Sequence, residues 1–264
     1  MSAEQARFEG RVAFVTGTGR PNGIGWATAR LLGQEGAFVA AGVRANTDAK
    51  KVEGWLTEEG LNGIGVEIDL TDLNGYASIK AKSEARLTRI EEAAGAPVSD
   101  LVHIAGVTHD DVAIRMTEED WTEIDTVKNK GPFFLTVAAL RGLRKAKPGN
   151  VVSVSSLAAL YGHAGQSNYV ATNAAMIGWT KSLALEYEGK GVNFNVVAPG
   201  LVDTDMTRGK LTAEQWQTLL EMMPDKKALQ PEDIASAIAE VLISNKTGQV
   251  VVVDGGLSEA LSKK

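Results

Sequence analysis

The most constraining feature of the sequence is a regular alternation of short apolar runs with longer stretches of helical periodicity. The apolar runs are nearly continuous, as is typical of parallel strands that are covered by helices on both faces. Strand, helix and parallel strand in succession form a right-handed βαβ unit. The pattern therefore predicts an α/β fold: one doubly wound domain with a seven-stranded parallel sheet and helices on both faces. The predicted strands are RVAFVTG (11–17), FVAAGV (38–43), GIGVEIDL (63–70), DLVHIAG (100–106), NVVSVSS (150–156), VNFNVVAPG (192–200) and GQVVVVDGG (248–256).

Helical stretches with typical start and stop signals lie between the predicted strands. Gly36 closes the first of them, and Thr117, followed by acidic residues, is a typical N-cap for the longest. Segment 201–230, interrupted by Pro224, is predicted to be irregular or helical. Because no linker or short repeat interrupts the chain, residues 1–264 are predicted to form one domain. The predicted helices cover 23–36, 47–60, about 72–94, 117–146, a stretch that carries Tyr169, and 231–244.

Composition argues against several classes of function. A net charge of -6 without a basic tract is unfavourable for binding nucleic acid. The absence of cysteine excludes disulfides and thiolate chemistry, and the three histidines lack the spacing of a zinc site. The N-terminal MSAEQARFEG lacks the apolar segment of a signal peptide, and no apolar run is long enough to span a membrane. We therefore expect a cytoplasmic protein without a membrane partner.

A glycine-rich segment, VTGTGRPNGIG, follows the first predicted strand and opens the first helix. Glycines let the backbone approach a pyrophosphate, and a helix N-terminus offers free N–H groups and a positive dipole. The segment therefore predicts a dinucleotide site, and the alternative is a glycine-rich turn without a ligand. The candidate cofactor residues in it are Gly17, Gly19, Arg20, Gly23 and Ile24.

The end of the second predicted strand favours NADPH over NAD. A site that prefers NAD usually has an acidic residue here, whereas this chain has Val43 followed by Arg44. Together with Arg20, Arg44 could form charge-assisted hydrogen bonds to a 2′-phosphate. The alternative for Arg44 is a solvated surface arginine.

Further motifs follow the glycine turn in a fixed order. Ser156 precedes Tyr169 by thirteen residues, and the segment APGLVDTDM (198–206) follows the helix that carries Tyr169. The turn TGTGRPNGIG matches TGxxxGxG, either from Thr16 with two extra residues or from Thr18 without them. With IDLTD (68–72), IAG (104–106) and VVVDGG (251–256), these motifs resemble the short-chain dehydrogenase/reductase family over nearly the whole chain, and within it most closely the 3-oxoacyl-acyl-carrier-protein reductases.

The resemblance implies a Rossmann-type fold, hydride transfer between nicotinamide and a carbonyl carbon, and roles for particular residues. Segment 201–230 corresponds to the family's substrate lid, and the implied substrate residues are His163, Met206 and Trp216. The implied cofactor is NADPH. Its further contacts would be Asp69, Leu70, Ala105, Gly106, Tyr169, Asn173, Pro199, Gly200, Val202 and Thr204.

The catalytic positions depart from the family at two places. In the family a serine polarises the carbonyl, a tyrosine donates the proton, a lysine lowers the pKa of the tyrosine, and an asparagine holds a relay water. Ser156 and Tyr169 are present, but Asn173 stands at the lysine position and Lys128 at the asparagine position. The two residue types have exchanged places, so Lys128 could supply an ammonium near Tyr169 and Asn173 could bind the ribose.

Three hypotheses follow from this exchange. In the first, Lys128 replaces the missing lysine and the enzyme is active. In the second, the site is impaired and the chain is a cofactor-binding subunit that assembles with an active homologue. In the third, Lys128 faces solvent, Asn129 takes the asparagine role and activity is low.

The predicted function is NADPH-dependent reduction of a ketone, with a 3-oxoacyl thioester as a candidate substrate carried on an acyl carrier protein or coenzyme A. Lys147 and Lys190 lie where relatives keep basic residues near the site entrance, and surface lysines are the alternative. His103 is expected to be a packed strand-end histidine rather than a cofactor contact. The apolar surfaces of the helices over 118–146 and around Tyr169 predict a homo-oligomer, a dimer or tetramer, or a hetero-oligomer with a homologue.

Overall fold

The sheet is the frame of the molecule. A computed structural model describes residues 6–44, 47–70, 76–209 and 211–262. Within these residues, seven strands form one parallel sheet in the order β3-β2-β1-β4-β5-β6-β7, which confirms the predicted α/β fold. The strands are β1 (Val12–Thr16), β2 (Phe38–Val43), β3 (Gly63–Glu67), β4 (Asp100–His103), β5 (Gly149–Val154), β6 (Val192–Pro199) and β7 (Val250–Val253).

Helices cover both faces of the sheet, and successive residues of each strand supply the two cores. In β1, Ala13 and Val15 belong to one core, and Val12 and Phe14 belong to the other. The first core is covered by α1 (Ile24–Gln34), α2 (Ala49–Glu58) and α10 (Pro231–Ile243), and the second by α3 (Tyr76–Ala94), α5 (Gly131–Ala146) and α7 (Ser167–Glu186). Because both faces are buried, the strands are predominantly apolar.

The order of the strands creates a crevice at one end of the sheet. Strand β1 pairs with β2 on one side and with β4 on the other, so the connections leave β1 in opposite directions. In a doubly wound sheet, ligands bind outside the carboxyl ends of the strands at such a switch point. The loops that follow β1, β2, β4, β5 and β6 therefore converge on one cleft.

Several strands end earlier than the sequence predicts. Strand β3 ends at Glu67 rather than at residue 70, β4 at His103 rather than at 106, and β5 at Val154 rather than at 156. In each case the residues between the observed and the predicted end lie in the wall of the cleft. Apolarity alone does not mark where a strand ends. The helix predicted over 72–94 is observed as α3, and residues 71–75 lie outside the described part of the chain.

The predicted long helix over 117–146 is divided by a π-helical turn. It comprises α4 (Glu118–Asp125), a π-helical segment (Thr126–Lys130) and α5. Thr117 caps α4 through a capping box with Asp120, as its sequence predicts. Pro132, in the first turn of α5, has no N–H for the carbonyl of Lys128, so the regular i to i−4 ladder cannot pass this point. Such widened turns often occur at functional sites.

The segment predicted as a lid is partly helical. It contains α8 (Asp205–Arg208) and α9 (Ala213–Met222), while α6 (Ala158–Tyr161) and α11 (Leu257–Leu261) are short. A small separate core joins this segment to the loops beneath it through Leu157, Leu201, Trp216, Met223 and Leu257. Among the described residues, no helix is both long and apolar enough to cross a membrane, and no three His, Cys, Asp or Glu side chains cluster as metal ligands would.

Candidate active site

A cavity of about 820 Å³ opens at the carboxyl ends of the strands. Its volume lies in the upper part of the range that is usual for small-molecule and cofactor sites. Most of the residues that the sequence predicts for the site lie in its wall: Gly17, Gly19, Arg20, Gly23, Ile24, Arg44, Asp69, Leu70, Ala105, Gly106, Lys128, Ser156, Tyr169, Pro199, Gly200, Val202, Thr204 and Met206.

The glycine turn has the shape that a dinucleotide requires. Gly17 adopts φ +81°, and a Cβ there would lie 2.7 Å from the backbone nitrogen of Ala105. A Cβ on Gly25 would lie 2.2 Å from the carbonyl oxygen of Gly17, so the helix can approach the turn this closely only with glycine. Gly23 caps α1 without a side-chain hydrogen bond, which leaves the N–H groups of the first turn available to an anion. The residues present therefore fit a pyrophosphate.

Thr16 joins this turn to the next loop of the cleft. Its hydroxyl accepts hydrogen bonds from the N–H groups of Ile104 and Ala105, at 3.1 and 3.2 Å, and donates to Val102 O at 3.3 Å. Thr18 instead donates to Gly42 O at 3.1 Å. These contacts place Thr16 and Gly17 at the end of β1 and favour the match of the TGxxxGxG motif that begins at Thr16 with two extra residues.

Two arginines line the cleft at and beside the glycine turn. Arg20 is exposed in the turn itself, and Arg44 follows β2 with a side chain that is 53% exposed. The Arg44 guanidinium lies 3.7 Å from a carboxylate oxygen of Glu123. Both arginines can therefore reach a nucleotide phosphate, although Arg44 already has an acidic neighbour.

The hydroxyl groups of Ser156 and Tyr169 meet in the opposite part of the wall. Ser156 follows β5, and its Oγ accepts a hydrogen bond from Ala158 N at 3.2 Å, which leaves the hydroxyl proton free for another acceptor. Tyr169 lies in the first turn of α7. Burial raises the pKa of the Tyr169 phenol above its usual value; hydrogen bonding with Ser156 opposes this shift, the charge of Asp110 adds to it, and hydrogen bonding with Asn173 opposes it. The phenol is thus protonated at neutral pH.

Lys128 points inward from the π-helical segment. Its side chain is 3% exposed, and its Nζ donates a hydrogen bond to Val154 O at 2.8 Å. Ser155 N donates to Val197 O of β6, so the adjoining Val154 carbonyl faces β4, which has already ended at His103. The Lys128 ammonium thus donates the hydrogen bond to Val154 O that a residue of β4 would donate if that strand continued. Burial lowers the pKa of Lys128 to about 8.

Asn173 lies below the cavity rather than in its wall. It is fully buried, and its Nδ2 donates to the backbone carbonyl of Tyr169 at 2.8 Å. The Ser155 hydroxyl donates in turn to the Asn173 carbonyl at 3.0 Å, which ties α7 to the end of β5. Asn173 therefore lies next to Tyr169 without lining the cavity, and its contact with the ribose stays a prediction.

Two predicted substrate residues also lie elsewhere. His163 is exposed, and its ring contacts the adjacent Ala164 carbonyl at 2.9 Å. Trp216 is buried in the small core under the lid, with the Arg208 guanidinium 3.8 Å above its ring. Of the three, Met206 alone lines the cavity.

His103 is a packed histidine, as expected. Its Nε2 contacts the Thr136 hydroxyl at 2.8 Å. Since Thr136 donates its only hydroxyl proton to Pro132 O, His103 Nε2 is the donor in this pair. Burial, together with the nearby charge of Lys128, lowers the pKa of His103 to about 3, so the ring is neutral.

The sequence does not identify one group of polar residues at the cavity. His109, in the loop after β4, and Glu123, on α4, both line the wall. His109 Nε2 lies 2.8 Å from Glu123 Oε2, and Asp110 is close enough to raise the pKa of Tyr169. The available signal is the polar run THDD (108–111), which begins one residue after IAG and lies beyond the carboxyl end of a predicted strand.

Comparison with known proteins identifies the family. Residues 17–258 match a family model described as "Enoyl-(Acyl carrier protein) reductase". The chain is 38% identical over 253 residues to the 3-oxoacyl-(acyl-carrier-protein) reductase FabG of Vibrio cholerae, covering 95% of this chain and 98% of that protein. It is 37% identical over 258 residues to the FabG of Thermotoga maritima (95% and 99%) and 34% over 254 residues to that of Escherichia coli (95% and 98%). The chain belongs to the short-chain dehydrogenase/reductase family of oxidoreductases.

Proposed function

We propose that this chain uses NADPH to reduce the ketone of a 3-oxoacyl thioester to the corresponding hydroxyl group. The observation that carries the proposal is the pairing of Ser156 with a protonated Tyr169 in the wall of a cavity that begins at a nucleotide-binding turn. NADPH, when bound, supplies the hydride. The proton and the stabilisation of charge come from side chains of this chain.

Proton donation is the task of the two hydroxyl groups. Since Ala158 N occupies one lone pair of Ser156, the serine proton can be donated to the carbonyl oxygen of the substrate. Tyr169 then transfers its phenolic proton to the same oxygen as negative charge develops there, so that hydride and proton together convert ketone to alcohol. The phenol carries its proton at neutral pH, but a raised pKa also makes it a weaker acid, so the transfer needs a group that stabilises the phenolate.

We propose that Lys128 takes the place of the family's lysine. Its ammonium is buried in the same wall as Tyr169, where a positive charge is weakly screened and stabilises the phenolate formed after proton transfer. The hydrogen bond to Val154 O holds the ammonium at a fixed position. Asn173 then holds the backbone of Tyr169.

The choice of cofactor and substrate follows from the two ends of the cavity. Arg20 and Arg44 supply positive charge for a 2′-phosphate, and neither is matched by an acid at the end of β2. At the other end, the lid segment places Met206 in the cavity wall, a flexible apolar side chain that an acyl chain could contact. The reductases to which the chain is similar are named for 3-oxoacyl groups on acyl carrier protein, which makes a thioester on that carrier or on coenzyme A the first substrate to test.

The test is oxidation of NADPH by the purified protein with an acetoacetyl thioester and with a panel of simple ketones. Tyr169→Phe should lower kcat by about 10²- to 10⁴-fold, the usual contribution of a general acid.

Lys128→Asn should be similarly impaired, and Lys128→Asn combined with Asn173→Lys should recover activity. If Lys128→Asn leaves a real activity unchanged, Lys128 has no part in the reaction. A wild-type protein that binds NADPH but reduces nothing, and gains activity with Asn173→Lys, would instead show an impaired homologue.

A further inference from the structure

A chain of charged groups crosses the mouth of the cavity. Arg44 follows β2, and its guanidinium lies 3.7 Å from Glu123 on α4. The other oxygen of that carboxylate lies 2.8 Å from His109 Nε2, and the second ring nitrogen of His109 lies 3.5 Å from Asp120. Arg44, Glu123 and His109 all line the cavity. Glu123 is therefore shared between the proposed nucleotide end and the loop that follows β4.

The histidine end of this chain is anchored beside Tyr169. The backbone carbonyl of His109 accepts a hydrogen bond from Asn168 Nδ2 at 3.0 Å, and Asn168 Oδ1 accepts one from Tyr169 N at 2.7 Å. His109 is thus fixed in position, whereas Arg44 is an exposed side chain with a longer and weaker contact to Glu123. Of its two partners, His109 is the one that Glu123 can keep when Arg44 moves.

We propose that Glu123 is a specificity-determining residue that competes with the 2′-phosphate of NADPH for Arg44. The inference rests on the proposed function, since it takes Arg44 to be a ligand of that phosphate. A 2′-phosphate brings about two negative charges to a guanidinium that already has a carboxylate beside it, so the phosphate must displace or be repelled by Glu123. A ribose with a free 2′-hydroxyl makes no such demand. Glu123 therefore weakens binding of the phosphorylated cofactor selectively.

Binding of nucleotide fragments measures this competition without any turnover. The ligands are 2′,5′-ADP and 5′-AMP, which differ by the 2′-phosphate alone, and the measurement is titration calorimetry at low ionic strength. Exposed ion pairs contribute about 0.2–1 kcal/mol, which converts to about 1.4- to 5-fold in affinity. Glu123→Gln should therefore bind 2′,5′-ADP up to about 5-fold more tightly and leave the affinity for 5′-AMP unchanged. The gain should shrink as salt is added.

A matched control separates this contact from the general charge of the surface. Glu119 lies on the same helix, is exposed and is outside the cavity wall, so Glu119→Gln removes the same charge without touching Arg44. It should leave both affinities unchanged. In the background of Arg44→Gln, Glu123→Gln should have no further effect, because the group for which the two anions compete is absent.

The outcomes distinguish this inference from the cofactor proposal. If neither the wild type nor Glu123→Gln binds 2′,5′-ADP more tightly than 5′-AMP, the preference for NADPH is wrong, and the inference falls with it. If the wild type prefers 2′,5′-ADP but Glu123→Gln leaves that preference as it was, the inference alone is overturned. The same holds if Glu119→Gln and Glu123→Gln strengthen binding equally, since the effect would then be a general one.

Discussion

The two ends of one strand ladder differ sharply in how their polar side chains are satisfied. At the amino end of β4 and β5, Asp100 pairs with Asn150, and both lie in a continuous network. Asp100 accepts hydrogen bonds from Arg11 (Nε, 2.7 Å), Ser99 (2.8 Å) and Asn150 (3.1 Å). Asn193 extends the network by donating to Asn150 at 3.1 Å. Every buried charge there has several partners.

Three residues along the same two strands, the situation is reversed. His103 pairs with Ser153 in the ladder, and α7 covers this end. Among the described residues, polar atoms of His103, Ser153, Asn173, Trp179 and Thr180 are buried without a hydrogen-bond partner. The nearby Lys128 has a buried ammonium with one hydrogen bond among the described residues, to Val154 O. The end beside the cavity thus tolerates unfavourable groups, which proteins do mainly at functional sites. At the far end burial raises the pKa of Asp100 and the Arg11 guanidinium opposes that shift, so the buried carboxylate depends on its partners.

The strongest test of this contrast is removal of the Asp100 carboxylate. Asp100→Ala leaves Arg11 without its buried partner and Asn150 without an acceptor, and breaking a buried pair in this way costs about 3–5 kcal/mol. Urea unfolding at pH 7.5 measures the loss. Asp100→Asn, which keeps an acceptor at the same place, should lose less. A loss below about 1 kcal/mol for Asp100→Ala would show that the groups at the amino end do not depend on the Asp100 carboxylate.

The next prediction concerns acid and His103. The pKa of His103 is lowered to about 3 in the folded state, against about 6.5 unfolded, so the unfolded chain binds more protons between these values. Stability therefore falls as the pH drops below about 6.5. At pH 4.5 the difference amounts to about 3 kcal/mol relative to pH 7.5.

His103→Gln should remove that part of the acid sensitivity, because its amide can still donate to Thr136 but does not titrate. Unfolding free energies of wild type and variant at pH 7.5 and 4.5 give the comparison, and contributions from other groups cancel in the difference. Equal losses of stability in the two proteins would mean that His103 is able to gain a proton without unfolding the chain.

Lys128 should produce a smaller effect on the alkaline side. Its pKa is about 8 when folded and about 10.5 when unfolded, so the folded state loses its proton first. The unfolded chain then binds more protons, and stability rises with pH from about 8 to 10.5. At pH 9.5 the gain over pH 7.5 is about 2 kcal/mol.

Lys128→Met, which replaces the ammonium by a slightly shorter, uncharged side chain, should lack this gain. Measurements stop at pH 9.5 because tyrosines begin to titrate above it. If the ammonium also assists Tyr169, wild-type reduction should decline as the pH rises through about 8. Parallel stability curves for wild type and variant would contradict a buried, titrating lysine.

The fold follows from the sequence more completely than the site does. Every predicted strand is present because apolar runs between helical stretches leave few other arrangements. The sequence analysis did not predict the π-helical turn, although Pro132 is visible in the sequence. A proline in the first turn of a new helix and a proline within one long helix give the same sequence pattern, so Pro132 does not distinguish the two. The strand ends were misplaced for a similar reason. Hydrogen bonding between strands, rather than apolarity, decides where each strand stops.

Within the site, motifs located the residues that act through backbone shape and position. Gly17 and Ser156 lie in the cavity wall because the sheet fixes the loops that carry them, and Tyr169 lies there at the start of α7. The orientation of a single side chain depends instead on what packs around it. Asn173 turned toward the Tyr169 carbonyl, and the pair of His109 and Glu123 joins residues 14 positions apart that only the folded chain brings together.

The finest comparison uses two buried threonines that differ only in their hydrogen bonds. The Thr136 hydroxyl donates to Pro132 O at 2.9 Å and accepts from His103, whereas the Thr180 hydroxyl has no partner among the described residues. Both are fully buried, and valine has nearly the same shape. Thr136→Val should lose about 1–2 kcal/mol, since it leaves the His103 N–H unpaired, while Thr180→Val should be neutral or up to about 1 kcal/mol more stable. Urea unfolding of the two variants side by side decides the matter. If Thr180→Val is the more damaging of the two, its hydroxyl is satisfied after all, and the contrast between the two ends of the ladder is weaker than the contacts indicate.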